Sequence, residues 1–266
     1  MRSLRLSLGL FTVLPVGRVE TDRRTVRRAI LWAPLVGLLL GLLAAGVLIA
    51  ARAAAESLWT APPPANPLGQ LLAAAVAVVA LTALSGGLHL DGWADIVDGW
   101  AARGDRERTL AVMADPSVGA VGAFAVAADL LIQTAALALA VNRGHGTEAV
   151  VVAAVTGRLA IVWATTRRPA RDDGMGAWVA GSVGVPAAVL LSVVTMAAAA
   201  ALALIDDDAT RRAAVVVVAA VPVALGAAAV ATWPVRRRLG GTTGDVIGAS
   251  CQVATTAALF VIACAP

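Results

Sequence analysis

Lysine is absent from this chain of 266 residues, so every one of its 21 basic side chains is an arginine, and charged residues of all kinds make up only 14% of it. With 59% hydrophobic residues and a mean hydropathy of +0.84, so little charge excludes an ordinary soluble domain and points to an integral membrane protein. A long polar stretch is missing as well, which leaves no room for a separate soluble unit and predicts one domain over residues 1–266. The dyad alternation of a barrel is not present either. Runs of Ala, Leu, Val and Gly predict spanning helices and an all-α fold, a polytopic helical bundle. Cysteine is scarce: Cys251 and Cys264 sit near opposite ends of one apolar run, too far apart along a helix to bridge, and read as small apolar residues.

A helix that crosses a bilayer needs about 20 mostly apolar residues, and about seven such runs are present. They lie near Ala29–Ala51, Leu68–Leu88, Val118–Val141, Glu148–Thr166, Trp178–Ile205, Ala213–Trp233 and Val246–Ala265, the fifth long enough to tilt or to break at Pro186. Basic residues precede the first run as in a signal peptide, but its apolar core is longer than the usual ~7–15 residues, so it reads as a retained helix.

The arginines are placed unevenly. Arg2, Arg5, Arg18, Arg23, Arg24, Arg27 and Arg28 precede the first run; Arg103, Arg106 and Arg108 follow the second, Arg167, Arg168 and Arg171 the fourth, and Arg236, Arg237 and Arg238 the sixth. In a seven-span bundle all of these share one side, and Arg52, Arg143, Arg211 and Arg212 take the other. The positive-inside rule then places the amino terminus in the cytoplasm, with residues 1–28 as a basic cytoplasmic segment. This asymmetry, with attraction to anionic lipid of the bilayer, accounts for the net charge of +4 and implies no nucleic-acid partner. Thr60–Pro67 reads as a stiff outer loop and Asp206–Arg212 as a solvated boundary loop.

Directly after the second run stands HLDGWADIVDGW, His89 to Trp100. Asp91, Asp95 and Asp98 are spaced i, i+4, i+7 and fall within an arc of about 60° on a helix, one acidic stripe at the inner boundary. Carboxylates so close repel one another, and desolvation near lipid adds to the penalty. A divalent cation offsets both, and an all-oxygen donor set points to Mg²⁺, or Mn²⁺, rather than zinc. His89 alone is a poor argument for zinc. On the cytoplasmic side, metal and substrate phosphate are the natural pairing.

Further candidates lie in two inner loops. Residues 89–117 carry the acidic motif and a loop with Arg103 and a fourth carboxylate, Asp115, which is followed by Pro116 and Ser117 and serves a turn, a helix cap or ligation. Residues 234–245, read as a Gly-rich loop, combine Arg236, Arg237 and Arg238 with Gly244 and Asp245 at a helix start, a backbone cradle for phosphate. Trp93 and Trp100 suit an interfacial belt. Asp129 and Gln133, one turn apart, are interhelical contacts or line a cavity. Arg158, inside the fourth run, needs a carboxylate, a substrate phosphate or a snorkelling route to water.

Several stretches together resemble the cobalamin synthase family, adenosylcobinamide-GDP ribazoletransferases. They are FTVLPV at Phe11–Val16, PLVGLLLG at Pro34–Gly41, GGLHLDGWADIVDGW from Gly86, MADPSVGAVG at Met113–Gly122, GR at Gly157–Arg158 and GGTTGDVIGA at Gly240–Ala249. Trp93, Trp100, Pro116 and Gln252 depart from the family's pattern, and Gln252 stands where the family often has Glu. The resemblance implies a multi-pass, Mg²⁺-dependent enzyme of the prokaryotic cell membrane, its active site facing the cytoplasm. Such an enzyme joins α-ribazole, or its 5′-phosphate, to adenosylcobinamide-GDP and releases GMP, a late step of vitamin B12 biosynthesis. Carried onto this chain, Asp91, Asp95 and Asp98 hold the metal, Asp115 and Asp245 are further ligands or the base, and Arg158 braces the diphosphate. Gly244, Arg238 and Arg103 then contact substrate, and His89 orients an aspartate. Whether copies associate into a homo-oligomer stays open.

Two rivals stand beside this reading. A CDP-alcohol phosphatidyltransferase shares the pattern D-G-x-x-A-R, here Asp98, Gly99, Ala102 and Arg103, but wants Gly, Asp and Asp where this chain has Val112, Pro116 and Ala120. A secondary transporter would use Asp91, Asp95, Asp98 and Asp129 as a cation path, yet the stripe lies off the midplane and no repeat relates the two halves.

Overall fold

A computed structural model describes residues 1–58, 66–203 and 211–265. Among them lie α1 (Arg2–Phe11), α2 (Arg23–Leu31), α3 (Ala33–Leu58), α4 (Pro67–Leu84), α5 (Leu88–Ala101) and α6 (Arg106–Met113). The chain continues through α7 (Ala120–Asn142), α8 (Gly146–Ala164), α9 (Gly174–Val179), α10 (Val185–Ala203), α11 (Arg211–Leu239) and α12 (Gly244–Ala263). The one β-type pairing among the described residues is an isolated parallel bridge between Pro169 and Thr242. The all-α expectation holds, and among the described residues 7 helices are long and apolar enough to cross a membrane: α3, α4, α7, α8, α10, α11 and α12.

The shorter helices all collect at one end of the bundle. Because successive spans alternate in direction, α1 and α2 before α3, α5 and α6 between α4 and α7, α9 between α8 and α10, and the α11–α12 turn share one face, called here the site face. At the centre stand α8 and α12, both mostly buried, whereas most of α10 is left for lipid. Lipid tails are as apolar as leucine, so these spans associate by close van der Waals contact between small residues. A Cβ on Gly37 would come within 2.6 Å of the Ala154 carbonyl oxygen, and one on Gly41 within 2.9 Å of the Val151 Cα, so α3 meets α8 backbone to backbone. Gly157 gives α8 the same approach to Cys251 and Thr255 of α12.

Several boundaries differ from the sequence expectation. Ala29 belongs to the short basic helix α2, capped where Asp22 accepts the Thr25 N–H at 2.8 Å, and the first span starts at Ala33. The second span ends at Leu84 because Gly86 and Gly87, at φ +67° and +70°, turn the chain into α5. Trp178 lies in α9, not in the fifth span. Pro186 does not break that span; it sits in the first turn of α10, where its missing N–H costs nothing. Residues 234–239, expected as loop, continue α11 through Pro234 to Leu239. The stiff-loop and boundary-loop readings at Thr60–Pro67 and Asp206–Arg212 fall largely on 60–65 and 206–210, outside the described residues.

Candidate active site

Helix α5 carries the acidic stripe, and its other face is locked into the bundle. Gly92 and Gly99 are buried on it. A Cβ on Gly92 would lie 2.8 Å from the Asp245 carbonyl oxygen, and one on Gly99 2.7 Å from Met113 Cγ, so only glycine lets α12 and α6 approach so closely. Ile96 enters a compact apolar cluster with Met113, Val235, Leu239, Val246 and Ala249 beneath the site. Asp98 accepts the backbone N–H groups of Gly119 and Gly122 at 2.7 and 2.8 Å, capping α7 from a neighbouring helix. Arg238 reaches back from α11 to the Gly99 and Trp100 carbonyls and Thr109 Oγ1, each at 3.4 Å. It braces the acidic helix.

The structure brings Asp245 to the stripe. Thr243 caps α12 by accepting the Val246 N–H at 3.3 Å, and its hydroxyl donates to Asp245 at 3.2 Å. Asp91 is exposed, while Asp95, Asp98 and Asp245 are half-buried. Partial burial and the charges of Asp91, Asp245 and Asp98 push Asp95 up from 3.8 to about 7. Among the described residues no three His, Cys, Asp or Glu side chains converge tightly enough to enclose a metal ion by themselves. The oxygen-only donors and their mutual repulsion fit a hard divalent cation that takes one or two carboxylates and fills its other positions with water and phosphate oxygens.

Beside the carboxylates lies a cavity of about 200 Å³ lined in part by His89, Asp91, Arg171, Gly244 and Asp245. His89 is 3% exposed, and neither ring nitrogen has a hydrogen-bond partner. Burial, with the nearby charge of Arg158, holds its pKa well below 6.5, so the ring is neutral. Arg158 is 2% exposed; no salt bridge reaches it among the described residues, and its Nε has no hydrogen-bond partner. A buried guanidinium is costly without an anion beside it. Arg171, whose field reaches Asp245, lines the cavity, whereas Arg158 is not among its lining residues; in the sequence Arg171 is only a topology signal, and no local pattern marks it.

Other expected site residues do not line this cavity. Asp115 is exposed and accepts the N–H and hydroxyl of Ser117, a turn whose hydrogen bonds hold its carboxyl below the usual range. Arg103 is exposed just past α5, its backbone in the left-handed region at φ 46°. Arg236 and Arg237 line a different pocket from the carboxylate site. Trp100 is 54% exposed. Asp129 accepts from Gln133, Gln252 and Thr256, a buried polar knot joining α7 to α12. Gln252 and Thr256 are partners that the sequence does not reveal.

Fold and site define a polytopic helical membrane protein with a carboxylate-lined cavity at one end of its bundle. The chain belongs to the cobalamin-5-phosphate synthase family, which it matches over residues 3–263. It is 40% identical to the adenosylcobinamide-GDP ribazoletransferase of Frankia casuarinae, over 99% of this chain and 95% of that one. The enzymes of the same description from a Nocardioides species and from Pseudomonas aeruginosa are 37% and 35% identical, covering 96% of both chains and 99% and 98% respectively. No solved structure matches the chain.

Proposed function

We propose that this chain performs the transfer its relatives are named for: a ribose hydroxyl of α-ribazole, or of its 5′-phosphate, attacks the cobinamide-side phosphorus of adenosylcobinamide-GDP, and GMP leaves. The reading is carried by Arg158, a buried cation without an ion-pair partner among the described residues, set near a neutral His89 whose two ring nitrogens are likewise unmatched. A diphosphate entering beside Asp91 and Asp245 supplies the missing anion. Arg171, on the cavity wall, then meets the phosphoryl oxygens, and Arg158, which is not part of that wall but whose charge reaches His89 on it, adds its field.

In this reading one or two of Asp91, Asp95 and Asp245 would hold Mg²⁺, which when bound neutralises charge on the phosphates and leaving group. Asp98 positions α5 against α7, and Arg238 holds α5 from the other side. A carboxylate of this group accepts the proton of the attacking hydroxyl. His89 stays neutral and donates one hydrogen bond to the bound phosphate. The site face is the cytoplasmic face, where the nucleotide substrates are, and the many arginines on it support that orientation.

The phosphatidyltransferase alternative wants Gly, Asp and Asp where this chain has Val112, Pro116 and Ala120, and the Asp98 of its pattern is turned toward the start of α7, where it receives two backbone N–H groups. The transporter alternative needs carboxylates along a midplane path, and those of α5 sit beyond the end of α4. The test is incubation of membranes carrying the protein with adenosylcobinamide-GDP, α-ribazole and Mg²⁺. GMP should appear, a chelator should abolish it, and a CDP-alcohol should yield no CMP. GMP formation unaffected by chelation would sink the metal assignment.

A further inference from the structure

Away from the carboxylate site, a second pocket of about 760 Å³ opens at the same end of the bundle, where α8 and α11 finish. Its walls carry Arg167, Arg168, Arg236, Arg237, Trp233 and Thr242. Among the described residues none of these arginines forms an ion pair. Arg168 donates to the Gly240 carbonyl at 3.0 Å, but the buried Nε of Arg236 has no acceptor, and Thr242 Oγ1, in a residue 1% exposed, has no partner either. Arg167 lies close enough to Arg236 for the two charges to repel. Converging cations with unspent donors call for an anion rich in oxygen.

Position says which anion. Trp233 is 52% exposed on α11, with the Arg237 guanidinium 5.3 Å above its ring, and one turn further into the span Val230 is 75% exposed. The pocket therefore carries an exposed interfacial tryptophan on its wall, and exposed apolar surface lies one turn away on the same helix. A phospholipid satisfies both parts, its phosphate among the arginines and its acyl chains along Val230 and Trp233; a soluble phosphate leaves the apolar flank unused. The pocket is also walled off from the carboxylates, because Thr242 pairs with the 168–170 segment and Gly241 is stacked on the Pro169 carbonyl.

We propose that this pocket is a specific site for the headgroup of an anionic phospholipid from the leaflet on the site face. Basic pockets between spanning helices are suited to such headgroups. Occupancy tethers the turn at residues 240–243, which leads within three residues to Asp245, so the lipid orders the start of α12. Binding is read without reference to activity.

The experiment uses the full chain purified in detergent, with lipid retained followed by native mass spectrometry and the thermal midpoint recorded alongside. Phosphatidylglycerol should bind and raise the midpoint, while phosphatidylcholine and inorganic phosphate should do neither. Arg167→Gln with Arg237→Gln should weaken phosphatidylglycerol binding by about 30-fold, two charges at the surface value for each. The paired Lys substitutions should retain most of it, and Arg52→Gln on the opposite face should change nothing. Equal binding of phosphatidylcholine, protection by inorganic phosphate alone, or undiminished binding by the Gln pair would each overturn the proposal. Should the Gln pair not fold, the comparison of the three ligands on the unaltered chain decides.

Discussion

Asp98 takes the N–H groups of Gly119 and Gly122 in its two carboxylate oxygens, so the last acid of the stripe serves as the cap of the next span. Glycine is needed at 122 because a Cβ there would run into that carboxylate. Asp98→Ala and Gly122→Ala should therefore both destabilise the fold, by about 1–3 kcal/mol for the two orphaned donors. Asp98→Asn, which keeps one acceptor, should fall between. Thermal denaturation in a single detergent measures all three.

Asp95 predicts how stability depends on pH. Its folded pKa of about 7 lies above the ordinary 3.8, so folding favours the protonated form. That contribution is complete below about pH 4 and is lost as pH rises through 7. Without divalent cation the midpoint should fall between about pH 5 and pH 8, and Asp95→Asn should flatten the fall. Mg²⁺ should stabilise the unaltered chain more at the higher pH. An Asn variant with the same pH profile would remove Asp95 from that role.

Arg158 separates stability from activity. Replacing an uncompensated buried cation with a similarly shaped apolar residue should raise stability, on the order of 1 kcal/mol or more. Transfer should fall on the order of 100-fold or more, as for loss of one charged contact to a transition state. Arg158→Met with midpoint and GMP release measured together checks both. A destabilised variant would show that Arg158 has a structural partner.

Gln252 donates to Asp129 at 2.7 Å inside the bundle. Gln252→Glu should set two carboxylates against each other there and lower the thermal midpoint, and adding Asp129→Asn should recover most of the loss. Equal midpoints for the single and double variants would contradict the pairing.

The long apolar runs of α3, α7, α8 and α12 were legible because a bilayer demands length and little else. The helices of the site face were not: α1, α2, α6 and α9 are short, and α9 joins its apolar Trp178 to a run that continues toward α10, so one span looked longer than it is. The stripe of Asp91, Asp95 and Asp98 could be read from spacing alone. That Asp245 joins it depends on Gly92 and Gly248 letting α5 and α12 touch, a contact between residues far apart in sequence. For Asp115 the Asp-Pro-Ser pattern suits a turn as well as ligation, and only the structure shows the turn it makes with Ser117. The missing partner of Arg158 is visible only once its neighbours are in place.

The central claim is that the carboxylates of α5 hold a divalent ion that handles a diphosphate, and GMP release in proteoliposomes from adenosylcobinamide-GDP and α-ribazole measures it. The unaltered chain and Asp115→Asn should both release GMP with Mg²⁺ and neither with chelator, while Asp95→Asn should be inserted and folded but inactive. Full turnover by Asp95→Asn, or by the unaltered chain after chelation, would contradict the account.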